Sequence, residues 1–322
     1  MFGLLDRVKP FFGLEADPRE AGMAAAIEMA ADNFSPQIRR VHNYQKQLKA
    51  PIERTANHMT ELFEAIPGPM DVTTSVACEN HLIKPFFINR DNFKTTVRED
   101  EDLNTFFSQN KADLFYALMV MDSRSKTTFD AQMQGEIIVR DIAVKMVNMS
   151  GHRFRAPAES MADAMQTLKI GVFQLLCRHA LEIMLDKHAR QAELEQLQEE
   201  LSAKIQFLAH DREKMAIMPE DTRSMKVCEE AQALLQEIED ELASTPLTPD
   251  DYLKHFCDVL SHPDQYLSAR QLSMKLDRMN NLVEARPRAQ QDQIRVSNFH
   301  FAQAQSISAI FLKCDRSVMT AE

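Results

Sequence analysis

Leu194-Glu-Gln-Leu197-Gln-Glu-Glu-Leu201-Ser-Ala-Lys-Ile205-Gln-Phe-Leu208 sets an apolar residue at every third or fourth position. This spacing keeps one stripe of a helix facing a partner while Glu, Gln and Lys stay in water. Toward the N-terminus, Met165, Leu168, Val172, Leu175 and His179 step in the same way, and between Pro157 and Leu208 the only breaker is Gly171. The pattern predicts one very long helix with Pro157 as its first residue. Past a polar stretch from His210 to Arg223, the same spacing returns in Val227, Ala231, Leu234, Ile238 and Leu242. The simplest arrangement over 157–245 is a long, coiled-coil-like antiparallel helical hairpin, its shorter arm returning along the longer one.

On both sides of this segment the period changes to 2. In 111–156, Asp113 to Met121 is apolar at alternate and intervening positions, as in a strand covered on both faces. Thr127, Phe129, Ala131 and Met133 alternate with polar neighbours, and Gln134-Gly135-Glu136 can turn the chain into Ile137 to Met149, where Ile138, Ile142, Val144 and Met146 share a face. These read as three strands. In 246–322, Ser244-Thr-Pro-Leu-Thr-Pro249 forms a linker, and Thr248, Pro249 and Asp251 cap a helix that runs to about Leu260 through Tyr252, Leu253, Phe256 and Val259. Three further strands follow, marked by Leu272, Met274 and Leu276, by Ile294, Val296 and Asn298, and by Ile307 to Cys314. Three strands alone bury little surface, which favours two three-stranded halves of one antiparallel β-module over two separate sheets.

The N-terminal region, 1–110, reads as helical. Ser35-Pro36 supplies a cap and a first-turn proline before Ile38, Val41, Gln45, Leu48 and Ile52, with Pro51 expected to kink or divide that run. A second amphipathic piece through Met59, Leu62, Phe63 and Ile66 stops at Pro67-Gly68-Pro69. Further helix is expected over Val76 to Ile88 and Asp91 to Gln109, anchored by Phe86, Phe87, Phe93, Val97, Leu103, Phe106 and Phe107. The fold class expected is therefore α+β and predominantly helical.

Composition removes several functions. A net charge of −11 over 322 residues argues against broad binding to nucleic acid or an anionic membrane, both of which need surplus Lys and Arg. With only seven glycines, the chain contains neither G-x-G-x-x-G nor G-x-x-x-x-G-K-[ST], so no nucleotide is expected. No window approaches the roughly 18 uninterrupted apolar residues that span a bilayer, and Met1 to Pro10 lacks the layout of a signal peptide. Five unpatterned cysteines fit reduced thiols in a cytoplasm.

Candidate sites are sparse. Cys78-Glu-Asn-His81 and His255-Phe-Cys257 have fragments of zinc spacing, but zinc sites usually show two close pairs, and neither metal nor cofactor is expected. Cys177 and His179 lie two apart on a helix and do not face each other. No local catalytic motif appears, and no catalytic residue is assigned. Arg140 and Asp141 form a charged couple inside a predicted strand and, with His152, could line a polar ligand site, although a strand edge and a turn explain them more simply. Arg39, Arg40, Lys46, Lys49 and Arg54 crowd one region with only Glu53 against them. That patch could hold an anionic ligand or another subunit's acid-rich arm, such as Glu237 to Glu241, though a solvated helical face is the plainer reading. The apolar tip Met1 to Leu14 has too little net positive charge for a membrane interface and is expected to pack on protein.

The function these features favour is a non-enzymatic cytoplasmic interaction or scaffold protein. It would meet a protein partner or a second copy through a helical face of Leu194, Leu197, Leu201, Ile205 and Leu208. The alternative is a small-ligand sensor with the β-module as receptor and the hairpin as output.

Overall fold

The computed structural model describes residues 8, 11–12, 19–72, 84–87, 89–134, 137–214, 222–244, 248–277, 280–282, 292–302 and 306–320. Cys78 and His81, with most of the expected Val76 to Ile88 helix, lie outside the described residues, as does most of Met1 to Leu14. Within that tip, Val8 and Phe12 are buried, and Phe12 packs on Phe173 with ring centroids 5.4 Å apart.

The fold is α+β. Its helices are α1 (Arg19–Asn33), α2 (Tyr44–Glu64), α3 (Arg90–Glu99), α4 (Glu101–Gln109), α5 (Met161–Lys214), α6 (Thr222–Ser244), α7 (Pro249–Ser261) and α8 (Ser317–Thr320). The strands are β1 (Met70–Asp71), β2 (Leu114–Gln134), β3 (Ile137–Ala158), β4 (Leu267–Leu276), β5 (Asp292–Phe301) and β6 (Ile307–Asp315). The chain forms two compact units. One comprises Met1–Ala26, Ile52–Phe173 and Ser261–Glu322, and the other Ile27–Pro51 and Gln174–Leu260.

The first unit holds the sheet, in the order β3-β2-β6-β5-β4, with β1 parallel to β6. Strands from before and after the long helices thus share one sheet, joined where Leu114 to Met121 pairs antiparallel with Asp315 to Ser308. The segment before the helices differs from the three strands expected. It is a single hairpin of two strands of 21 and 22 residues, because Asp122 to Lys126 continues the β2 ladder against Ser150 to Met146 and makes no turn. Ser123 to Thr127 are all exposed, so both faces of this part of β2 meet water and make no demand for apolar residues, while Val144 and Val147 of the partner strand are buried. Met121 and the residues before it behave as the sequence implied, with Phe115, Ala117 and Met119 but also Leu118 and Val120 buried.

The core of this unit gathers Phe115, Met119, Met149, Phe154, Ile294, Val296, Ile310 and Leu312 under Phe87, Phe93, Val97 and Leu103. The expected helix over Asp91 to Gln109 is divided at Asp100, whose Oδ1 accepts the Leu103 amide at 3.0 Å and caps α4. Its other oxygen, Oδ2, accepts the Phe154 amide of β3 at 2.9 Å, so one carboxylate both starts the helix and ties it to the sheet. Gly68 sits at φ +122, and a Cβ there would come within 2.7 Å of the Phe311 carbonyl oxygen, which explains a glycine beside β6. Pro157 does not begin α5. It lies near the end of the edge strand β3, where a missing N–H is tolerated, and the Ser160 hydroxyl accepts the Asp163 amide at 3.1 Å to cap the helix instead.

In the second unit, Phe34 stacks on Phe256 with centroids 4.2 Å apart and meets the Tyr252 ring edge-on. Tyr252 also hydrogen-bonds His188 of α5. The reciprocal Thr248–Asp251 cap of α7 forms as the sequence implied, the Thr248 amide donating to Asp251 at 3.0 Å and the Asp251 amide to Thr248 Oγ1 at 3.4 Å. Ser35 likewise caps a short 3-10 helix, Pro36–Arg40, and α2 begins afresh at Tyr44. Pro51 lies inside α2 without dividing it. A proline cannot donate to the carbonyl four residues back, and here that carbonyl, of Gln47, is met by the Cys257 thiol at 3.8 Å.

Candidate functional site

The residues expected to form a polar ligand site do not converge. Asp141 and His152 lie eleven residues apart on the continuous strand β3, roughly 30 Å or more at ~3.3 Å per residue. Asp141 is exposed, at φ +61, where the β2–β3 register shifts opposite Asp130 and Gln132. Its oddity in the sequence is therefore that of a bulge. The Arg140 side chain lies outside the described residues. His152 lies against the Phe87 ring, 4.2 Å between centroids, and burial pushes its pKa down.

The basic patch is smaller than its sequence suggests. Arg39 is engaged by Glu28 and Asp32 of α1, at 3.0 and 2.6 Å, two acids distant enough in sequence to escape a local charge count. Arg40, Lys46 and Lys49 are exposed in the same unit, and Arg54, also exposed, belongs to the other. Cys177 is fully buried and burial pushes its thiol well up, while that of Cys257 is pushed up to about 11, so neither is a ready nucleophile. Among the described residues, no three His, Cys, Asp or Glu side chains gather as a metal site would need.

The arm formed by the outer part of α5 and by α6 is the surface whose chemistry stands out. Leu194 and Leu201 of α5 pack against Ala231 and Ile238 of α6, with Ile205, Leu235 and Leu242 partly buried around them. Of the interaction face expected from the heptads, Leu194 and Leu201 are thus covered within the chain, and the Leu208 side chain lies outside the described residues. Leu197 remains exposed at 38%, with Leu234 at 42% and Val227 at 37% on α6.

Helical geometry explains why these three escape. At ~100° per residue, Leu197, three after Leu194, and Leu234, three after Ala231, are turned about 60° to the same rotational side of their seams. Val227, four before Ala231, is turned about 40° to that side. Arg190 and Glu241 lie on this side too, and they meet across the seam at 3.4 Å. Gln198 and Glu239 lie on the opposite side and also meet, at 3.4 Å. Like flanks of the two helices therefore border one another, so Leu197, Leu234 and Val227 share one face of the arm. Where the seam ends beyond Leu194 is a cleft of about 350 Å³, lined by Ile183, Leu194 and Leu242, by Asp186 and Glu241, and by Lys187, Arg190 and Gln191. The Gln191 Oε1 atom is buried without a hydrogen-bond partner.

Charge follows the same division. The residue immediately before each seam position falls on the flank of the exposed leucines, and there the chain has Glu193, Glu200, Lys204, Glu230, Glu237 and Glu241, all exposed. The residue immediately after each seam position falls on the opposite flank, and there it has Glu195, Ser202, Gln206, Gln232, Glu239 and Ala243. This asymmetry was available in the sequence, in the residue preceding each seam position. No protein-family model, curated protein or solved structure matches the chain.

Proposed function

We propose that the protein is a non-enzymatic interaction or scaffold protein and that α5 and α6 form an antiparallel hairpin serving as its docking arm. The observation that carries this reading is the set of exposed apolar side chains, Leu197, Leu234 and Val227, on one face of an arm whose seam is already filled. Single exposed leucines are ordinary on a protein surface. Three on one face, with a cleft opening at Leu194 one turn from Leu197, supply what a third helix needs to exclude water.

The test is site-specific photo-crosslinking in cells, with a benzophenone side chain placed at Leu197 or Leu234 and, for comparison, at Gln198 or Glu239 on the other face. A docking arm gives discrete adducts from the first pair alone. The same adducts from both faces, or adducts from neither, would count against the reading.

A further inference from the structure

We infer that the occupant of this face is a cationic amphipathic helix of a partner protein, lying along the groove between α5 and α6 with an apolar side chain seated in the cleft at Ile183, Leu194 and Leu242. The inference rests on the docking reading and adds the chemistry of the partner. An apolar strip alone does not choose its occupant, but its borders do. Glu193 and Glu200 line it on α5 and Glu230, Glu237 and Glu241 on α6, against Arg190 and Lys204, and the cleft adds one charge of each sign, Asp186 and Lys187. Arg190 is already held by Glu193 and Glu241, at 3.8 and 3.4 Å, so it offers little repulsion to an incoming cation. A helix with leucines at heptad spacing and lysines or arginines beside them would place its charges over these acids while its leucines cover Leu197 and Leu234.

The same borders argue against a second copy of the arm, which would set five acids against five. The chain's own basic helix suits these borders in charge but is excluded on another ground, since Leu48 and Ile52 of α2 are fully buried and leave it no apolar stripe to offer. On the opposite flank, the acids number only Glu195 and Glu239, and no large apolar side chain is exposed there among the described residues. Leu185 and Phe207 are exposed on the back of α5, but only on the face of Leu197, Leu234 and Val227 do apolar side chains from both helices lie beside a row of acids, the combination that a cationic amphipathic helix matches.

The experiment uses the full chain and two fluorescein-labelled synthetic helices of about 18 residues, ~27 Å long. Both carry leucine at heptad a and d positions, one with lysine beside them and one with glutamate. Anisotropy titrations should show one-to-one, saturable binding of the lysine peptide that weakens as salt rises. The double variants Leu197→Ala/Leu234→Ala and Glu230→Gln/Glu237→Gln should each weaken it about tenfold. Glu195→Gln/Glu239→Gln, on the other face, should leave it unchanged. All positions are exposed, and unchanged far-UV circular dichroism melts would show that each variant is folded. Equal binding of the glutamate peptide, or equal weakening by the opposite-face variant, overturns the inference while leaving the docking reading intact. Failure of both peptides to bind overturns both. A dimer by light scattering that Leu197→Ala/Leu234→Ala dissociates makes the occupant a second copy and also overturns the inference.

Discussion

Replacing Asp100 by asparagine separates two bonds that one carboxylate makes. Asparagine keeps an acceptor oxygen for the Leu103 amide, so the cap of α4 persists, but its NH2 cannot accept the Phe154 amide that Oδ2 now holds at 2.9 Å. Phe154 is 1% exposed, so its N–H loses its acceptor where water reaches it poorly. A hydrogen bond to a charged group is worth about 1.5–3 kcal/mol, and a buried donor left unpaired costs about 1–3 kcal/mol. These are two views of one loss, which we set at about 2 kcal/mol for Asp100→Asn. Asp100→Ala also removes the cap, worth about 1 kcal/mol, for about 3 kcal/mol in all. Asp102→Asn is the control, since its ion pair with Arg155 at 2.7 Å is 43% exposed at both side chains and is worth at most about 1 kcal/mol. Urea unfolding followed by far-UV circular dichroism suits a chain without tryptophan, and exchange of the Phe154 amide reports the bond directly. If Asp100→Asn unfolds at the Asp102→Asn midpoint with the Phe154 amide still protected, the bond does not tie α4 to the sheet and the reasoning fails.

Two further outcomes follow from the geometry. Gly68→Ala combines a positive φ with a Cβ 2.7 Å from the Phe311 carbonyl oxygen, and should cost about 2 kcal/mol or more in urea unfolding, whereas Gly171→Ala, where a Cβ meets nothing within 4 Å, should be neutral or stabilising. Burial, with Lys187 nearby, pushes the pKa of His255 down, and Asp258 offsets this only in part. Its folded value therefore lies below the ordinary ~6.5, so only the unfolded chain binds the proton as pH first falls. Stability should be full above about pH 6.5 and decline below it. The difference in unfolding midpoint between about pH 7.5 and about pH 5.5 should shrink in His255→Phe, and an undiminished difference would remove His255 from the account.

Many local rules were legible in the sequence, although the Ser160–Asp163 and Asp100–Leu103 caps, each between residues three apart, were masked by helix-like spacing around them. The Thr248–Asp251 and Ser35 caps, the apolar stripe of Met59, Phe63 and Ile66, and the Leu194–Leu201 seam could be read from residues a few positions apart. The rest of what stayed hidden depends on a distant partner. Asp100 divides α3 from α4 while its second oxygen serves β3, Arg39 is neutralised from α1, and the polar run after Asp122 stays extended because Ser150 to Met146 lies beside it. The proposed docking face was half legible. Heptad spacing grouped Leu197 with Leu194 and Leu201, and only the position of α6 shows which of the three it leaves uncovered.

The long ribbon of β2 and β3 also bears on how the molecule behaves in a concentrated solution. After Met121, β2 leaves β6 behind, and along the stretch Ser123-Arg124-Ser125-Lys126-Thr127 it is paired only with β3 among the described residues. Its other edge offers unmatched amides and carbonyls, on which a neighbouring chain could add a strand and then another. The charges of Arg124 and Lys126, exposed beside that edge, make such stacking unfavourable because each added copy would bring like charges into line. The barrier to fibril growth at this edge thus falls to a few surface residues that the core does not need, and valines in place of Arg124 and Lys126 should leave the fold intact while shortening the lag of thioflavin-monitored aggregation.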